Sequence, residues 1–305
     1  MHKYPTNLTD KQWQVIKNML DPKERFRKYS LRSVFDGILY IVKTGVQWRM
    51  LPSDFAPWQT VYYYFSKWKN EGLLEEIFDT LRGIVRRLSG RAESPSLGII
   101  DSRSVRTSHH IDGQRGIDGN KKIKGRKEHI VVDTLGLPMS VRVHPANVHD
   151  SVGAEEVFES MRYKFPGLKR ILADGGYRGE TVRNTVMRLL HCDLDVVLRS
   201  DKRTDRFVPM PKRWIVERTF SWLENFRRLT IDYEYRADTH EAMMHIAAIK
   251  LFLNKIFKQI LKLLCALSLT AVSASLAAQP EKEPVRNKIH ERSSFSIDRP
   301  YKELK

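Results

Sequence analysis

EHIVVDTLGLPMSVRVHPAN, residues 128–147, reads as two strands joined by a turn that holds Gly136 and Pro138, and so as an antiparallel hairpin. Ahead of it, LGIIDSRSVRT is a short apolar run that turns polar at Asp101, and SHHIDGQRGIDGNKKIKGRK is a Gly-rich basic loop. Behind it, SVGAEEVFESMRYKF predicts a helix capped by Ser151, and LKRILADGGYRGE a strand that ends in a turn at Asp174. ETVRNTVMRLL is then a helix, DLDVVLRS a strand and RWIVERTFSWLENFRRL, 213–229, a last helix. The order strand, hairpin, helix, strand, helix, strand, helix predicts a mixed sheet with helices packed on it, an α/β domain.

The first ninety or so residues read differently. LTDKQWQVIKNML opens with Thr9 and Gln12 in capping-box spacing, and SLRSVFDGILYIVKTG runs from a Ser30 cap to a Gly45 stop. TVYYYFSKWKNEG and LLEEIFDTLRGIVRRLSG are two further short helices. Short helices with tight breaks suit a helix-turn-helix-like bundle. Trp48, Trp58 and Trp68 read as core, while Arg49, Lys67 and Lys69 are the better phosphate contacts. SGRAESPS, 89–96, reads as a polar linker. This divides the chain into an all-α domain, 1–94, and an α/β domain, 95–257.

Fifty-three Lys and Arg against 36 Asp and Glu give a net charge of +17, which predicts attraction to a polyanion, nucleic acid or an anionic membrane. Aromatics interleaved with the basic residues favour nucleic acid. With 41% hydrophobic residues the chain can build a real core. Cys192 and Cys265 form neither a metal spacing nor a disulfide framework, which suits a reducing cytoplasm. The N-terminus has no apolar core of an export signal.

Two acids stand where strands are expected to end, Asp101 after LGII and Asp174 after RILA. Ligands of open α/β sheets collect at such ends. A neighbouring pair of carboxylates calls for a cation, and hard oxygen ligands favour Mg²⁺ or Mn²⁺. Each acid also has an ordinary reading, Asp101 as a turn residue and Asp174 as an Asx turn before Gly175 and Gly176. In 213–229, Ile215, Thr219, Trp222, Leu223, Phe226 and Leu229 share a helical face, and Arg213, Glu217, Ser221, Glu224 and Arg228 share the opposite one. The polar face is either solvated, with Arg213–Glu217 and Glu224–Arg228 pairs, or it presents Glu217 as a third carboxylate. Three such acids would make a two-metal site with ions roughly 3.5–4 Å apart. Lys121, Lys122, Lys124, Arg126 and Lys127 are either a solvated loop or a grip on a phosphate backbone. Asp150 is a rival carboxylate or the cap region of the next helix. His109, His110, His144 and His149 lack the carboxylate neighbours and spacing of a zinc site.

With LTDKQWQVIKNML, TGVQWRMLPSDFAPWQTVYYYFSKW, IIDSRSVRT, KIKGRKEHIVVDTLGLP, ANVHDS, LADGGYRGE and RWIVERTFSWLENFRRL in this order, the chain from about Leu8 to about Phe257 resembles a bacterial insertion-sequence transposase of the DDE class. The resemblance implies a ribonuclease H-like core and metal-dependent cleavage and strand transfer at the element's ends. Its acids fall on Asp101, Asp174 and Glu217, holding two Mg²⁺ or Mn²⁺ ions. Its partners would be duplex DNA, both terminal inverted repeats and target, and further copies of the chain on that DNA, with no small-molecule cofactor. It implies a cytoplasmic, nucleoid-associated protein. The family's helix signature puts an arginine at Arg213, a tyrosine where Met210 stands and a lysine where Glu224 stands, leaving Arg227 or Arg228 to take the lysine's part. An end-binding remnant without activity is the alternative, and it is separated by whether the three carboxylates converge.

After Phe257 the pattern stops. KQILKLLCALSLTAVSASLAAQ resembles a secretory signal, short for a membrane span, and the stretch 279–305 reads as disordered. Residues 258–305 are read as a fused or read-through tail drawn to anionic membrane. The competing reading is a last helix packed on the domain.

Overall fold

The computed structural model describes residues 4–20, 25–109, 114–197 and 212–277, with side chains as far as 266. A sheet of six strands forms from β1 (Leu97–Arg106), β2 (Gly116–Asp118), β3 (Ile123–Val132), β4 (Pro138–Pro145), β5 (Arg170–Ala173) and β6 (Asp193–Val196). β1 pairs antiparallel with β3 and parallel with β5, and β5 pairs parallel with β6. β4 and β2 both lie along the far edge of β3. Only β3 runs against the others, which is the ribonuclease H-like topology that the resemblance implies. β2 falls in the Gly-rich stretch that the sequence presents as loop, because three residues are too few to carry a period.

The helices are α1 (Asp10–Leu20), α2 (Leu31–Thr44), α3 (Trp58–Asn70), α4 (Leu73–Leu88), α5 (Asp150–Met161), α6 (Glu180–Leu190), α7 (Trp214–Glu224) and α8 (Ala237–Ala277). Local chemistry sets their ends. Thr9 and Gln12 exchange hydrogen bonds of 3.2 Å, side chain to backbone in both directions, as a capping box does. Ser30 Oγ accepts from the Ser33 N–H, and Gly45, at φ 76°, closes α2 in the left-handed region. The α5 cap is His149, two residues before the expected Ser151, and Asp150 becomes the first helical residue.

Successive strand residues point to opposite faces. Ile99, Ile130, Val132, Val141 and Val143 therefore pack with α1–α4, α7 and α8, whereas Ile100, Val131, Met139 and Ile171 pack with α5 and α6. Trp68 is in the first of these cores, and Trp48 and Trp58 are half-buried. That core runs unbroken from α1 and α4 to α8, where the Gln12 side-chain amide donates to Asn254 Oδ1 at 2.9 Å. The polar segment 89–96 is tied down on both sides: Arg86 Nε donates to the Ala92 carbonyl at 2.7 Å, and the Gly167 N–H donates to Ser94 Oγ at 2.8 Å.

Residues Met1–Leu261 form one compact unit and Lys262–Lys305 a second. Within the first, Leu253 and Ile256 of α8 are buried. In the second, the helix is described as far as Ala277 and Leu263 and Leu264 are exposed; the stretch 279–305 lies outside the described residues. Among the described residues no helix is long and apolar enough to cross a membrane. Removing residues 262–305 is expected to leave the melting temperature within about 2 °C of the full chain, because the buried residues of α8 among those described end at Ile256 and Leu263 and Leu264 are exposed. Thermal denaturation checks this, and a drop above about 5 °C would make the segment part of the folded unit.

Candidate active site

β5 pairs with β1 only along Leu97–Ile99, while β3 accompanies β1 as far as Arg106. Asp101 therefore lies where the parallel edge lets go, in mid-strand and not at the strand's end. Asp174 follows Ala173, the last residue of β5. Asp101 shares the face of Ile99, the face on which α7 lies. Both acids are arranged alike. Each accepts at Oδ1 from a nearby backbone N–H, that of Ser102 at 2.8 Å and that of Gly176 at 3.0 Å. Each turns Oδ2 toward Arg213 Nη2, at 3.5 Å and 3.2 Å. The Asx turn uses one oxygen of Asp174 and leaves the other turned to Arg213.

Glu217, one helical turn after Arg213, stands 3.7 Å from its Nε and is largely exposed. Three carboxylates so gather round one guanidinium. They do not close on a single point, for among the described residues no three His, Cys, Asp or Glu lie close enough to hold an ion together. Burial pushes the Asp101 carboxyl up to about 6, Arg213 and the Ser102 N–H oppose this, and Asp174 adds repulsion. The pocket carries more negative charge than it can comfortably hold.

α7 is shorter than its sequence pattern. It ends at Glu224, and a 3-10 turn follows at Arg227–Leu229. Ile215, Thr219, Leu223, Phe226 and Leu229 are buried as expected. The expected Glu224–Arg228 pair does not form, because the helical geometry stops between them. Glu224 meets Arg103 at 2.9 Å instead, and Arg228 turns inward to Glu234 at 2.7 Å. Met210 lies outside the described residues.

The basic residues divide by exposure. Arg49, Lys67, Lys121, Lys122, Lys124 and Arg227 are exposed, with Arg49 over the Trp58 ring and Lys67 near Glu71. Lys69 is tied to Asp238 at 2.9 Å. Arg126 and Arg228 are corrections: both are buried, so neither reaches a phosphate backbone. Arg126 is wholly enclosed and binds Asp232 Oδ2 at 2.6 Å and the carbonyls of Gln114, Glu234 and Tyr235. Lys127 is buried too, its ammonium 3.1 Å from Asp150 and donating to the Val148 carbonyl.

The opposite face of the same strands holds residues that the sequence reading passed over. Ser102 points away from Asp101 and donates its hydroxyl to Asp150 Oδ1 at 2.8 Å. His129, the cross-strand partner of Ser102, puts Nε2 3.3 Å from the same oxygen. Its Nδ1 meets His144 Nδ1 at 3.0 Å, and His144 Nε2 meets Glu156 at 3.0 Å. His144 thus has the carboxylate neighbour that its surroundings in sequence do not offer, and Asp150 is a partner of the site as well as the start of a helix. Burial works against ionising Asp150, but His129, Ser102 and Lys127 outweigh it and hold the carboxyl well below its usual range. Gly176 separates Asp150 from Asp174; a Cβ there would meet Asp150 Oδ2 at 2.8 Å and Asp174 Oδ1 at 3.1 Å. The alternation of Arg126 and Glu128 with Lys127 and His129 was the available signal.

The family model for the transposase DDE domain matches residues 92–252, and a model for transposases of the IS4/5 family matches residues 8–78. A protein named as the transposase for insertion sequence element IS402 in Burkholderia cepacia is 34% identical over 131 residues, 40% of this chain and 60% of that protein. The chain thus spans less than two thirds of that relative's length. The uncharacterised protein y4sN of Sinorhizobium fredii (strain NBRC 101917 / NGR234) is 26% identical over 117 residues, 37% of this chain and 87% of that one. Two solved structures align over much of their length. A Mos1 transposase paired-end complex with left transposon end shares 12% identity, with a TM-score of 0.24, 78% of this chain and 81% of that one covered. A Mos1 mariner paired-end complex with Mn shares 11%, with a TM-score of 0.26, 83% and 86% covered. Both likenesses are too slight to bear on the site.

Proposed function

The chain belongs to the transposase DDE domain family, and from that premise we propose that it is a metal-dependent transposase that cuts DNA at the ends of an insertion sequence and joins them to a target. The observation that carries the reading is the pairing of Asp101 and Asp174, from neighbouring parallel strands, on one guanidinium nitrogen. An acid pair already flanking a cation, Asp101 buried and Asp174 half-buried, suits a divalent one. The donor set is all carboxylate oxygen, which fits Mg²⁺ or Mn²⁺. Asp101, Asp174 and Glu217 would hold the ions, two of them, which when bound supply charge stabilisation to the attacking and leaving oxygens.

The chain's own side chains do the remaining work. Arg213, paired with the three acids among the described residues, binds a non-bridging phosphate oxygen and sets Glu217 one turn away. The Ser102 and Gly176 N–H groups fix the carboxylates in rotation. Residues 1–94 and the exposed lysines at 121, 122 and 124 carry the duplex, and copies of the chain pair the two ends. The test is incubation of the full chain with duplexes bearing the element's ends and Mg²⁺. End-specific 3′ nicks support the reading; binding without nicking in either Mg²⁺ or Mn²⁺ refutes it.

Affinity for DNA is expected to come mainly from phosphate contacts. Replacing Lys121, Lys122 and Lys124 together by Ala should weaken duplex binding for every sequence alike. The slope of log affinity against log salt should fall by about 2 to 3, the release expected from three contacts. Fluorescence anisotropy across a salt series measures it, and an unchanged slope would move the grip elsewhere.

A further inference from the structure

Asp150, His129, His144 and Glu156 stand in line, each within 3.3 Å of the next. One end of the line lies at the active site. Asp150 Oδ1 shares the Ser102 hydroxyl, Ser102 in turn supplies the N–H held by Asp101, and Asp150 Oδ2 faces Asp174 across Gly176. The other end lies in water, since the Glu156 side chain is 71% exposed. The two imidazoles between are buried, His129 completely. We propose that the His129–His144 pair is a proton relay, which takes up the proton lost by the attacking hydroxyl through Asp150 and releases one to solvent at Glu156. The inference rests on the phosphoryl-transfer reading given above.

Counting hydrogens leads to the relay. Ionised carboxylates only accept, so full hydrogen bonding at both ends needs a hydrogen on each outer ring nitrogen. The inner Nδ1···Nδ1 contact needs one more. Three hydrogens on two rings is one beyond what two neutral imidazoles hold. The fully bonded pair therefore shares a single extra proton. Once Glu156 has passed that proton to water, one outer nitrogen is bare, and when it is His129 Nε2 it can take a proton from Asp150. Burial pushes His129 below its ordinary value, so charge does not come to rest at the inner ring.

The surroundings keep the line rigid. Gly153 of α5 lies against His129, where a Cβ would come 2.6 Å from the ring. Tyr177 stands edge-on to His129 at 6.3 Å. The charged groups facing the pair are Asp150 and Glu156 from α5 and, beside Asp150, Lys127 from β3. The Tyr177 hydroxyl is fully buried beside the Ser102 hydroxyl and near the carboxylates of Asp150, Asp101 and Asp174. Asp150 is a quarter exposed, beside Ser102 and Asp174. Glu156 is six residues on, about 9 Å along α5, and stays in water.

In the step, the oxygen of water bonds to phosphorus as its O–H bond breaks, and the bond from phosphorus to the 3′-oxygen breaks. The lost proton goes to Asp150 and onward, a second proton leaves at Glu156, and the departing 3′-oxygen takes one from solvent. No redox partner is needed.

The experiment is the pH dependence of nicking by the full chain. The wild type should show a limb that rises with pH as the pair loses its shared proton. His144→Gln breaks the line and should slow nicking roughly a hundredfold at neutral pH and remove that limb. Glu156→Gln, on an exposed residue that cannot unfold the chain, should move the limb to lower pH by about half a unit, because the carboxylate that favours the shared proton is gone. A purely structural role would lower the rate equally at every pH. An active wild type whose limb survives both substitutions unchanged would overturn the relay alone. A wild type that does not nick would overturn the transposase reading and the relay with it.

Discussion

Asp174→Asn is expected to abolish end nicking, by about a thousandfold or more, while duplex binding stays within a factor of about two. The amide keeps the shape of the side chain and its acceptor for the Gly176 N–H. It removes the charge turned toward Arg213, and with it a ligand for the metal. Folding should not suffer, because taking away one of two repelling acids relieves the pocket in which Asp101 is already pushed up to about 6. Parallel nicking and anisotropy measurements decide the matter. If Asp174→Asn nicks at the wild-type rate, the carboxylate is an Asx-turn residue and nothing more.

Arg126→Met should be the most damaging single change to stability. The guanidinium is wholly buried and joins β3 to Asp232 and to the backbone of residues 234 and 235. Its loss strands Asp232 without a full counter-charge. Breaking one partner of a buried pair costs about 3–5 kcal/mol, which in a unit of this size lowers the melting temperature by about 10 °C. His240, wedged between Glu128 at 2.7 Å and Asp232 at 3.1 Å, adds a pH signature. Burial alone would depress its pKa, but Asp232 and Glu128 raise it from 6.5 to about 10. A group raised in the folded state stabilises fully below its unfolded value and loses that effect as pH climbs through the folded one. The stability gap between wild type and His240→Gln should therefore be widest below about pH 6.5 and close toward pH 10. Chemical denaturation at several pH values measures it, and a gap that widened with pH would contradict the ion-pair reading.

Much of this molecule could be read from its sequence where one period or one cap decided the matter. The hairpin at 128–147, the Thr9–Gln12 box and the apolar face from Ile215 to Leu229 are of this kind. Asp101 and Asp174 stood out because acids after apolar runs are costly unless used. What escaped was charge that faces inward. Residues 126–129 look like the end of a basic loop, since Lys and Arg are ordinarily exposed. Only the pairing of β3 with β1 and β4, and partners as remote as Asp232 and His240, makes their burial affordable, and no local pattern contains those partners. Arg228 was missed for a related reason: the end of α7 at Glu224 carries no Gly or Pro to announce it.

The inward charges of β3 do something that its apolar half cannot. Ile130, Val131 and Val132 are nearly interchangeable in shape and polarity, so a slip of the strand by one residue would cost them little. The same slip would turn Arg126 and Glu128 toward α5 and Lys127 and His129 toward α8, since neighbouring side chains swap faces. Arg126 would lose Asp232, Glu128 would lose Arg103 and His240, and His129 would lose Asp150 and His144. The alignment of β3 against β1 and β4, and with it the place of His129 beside Ser102, is thus held by four polar side chains.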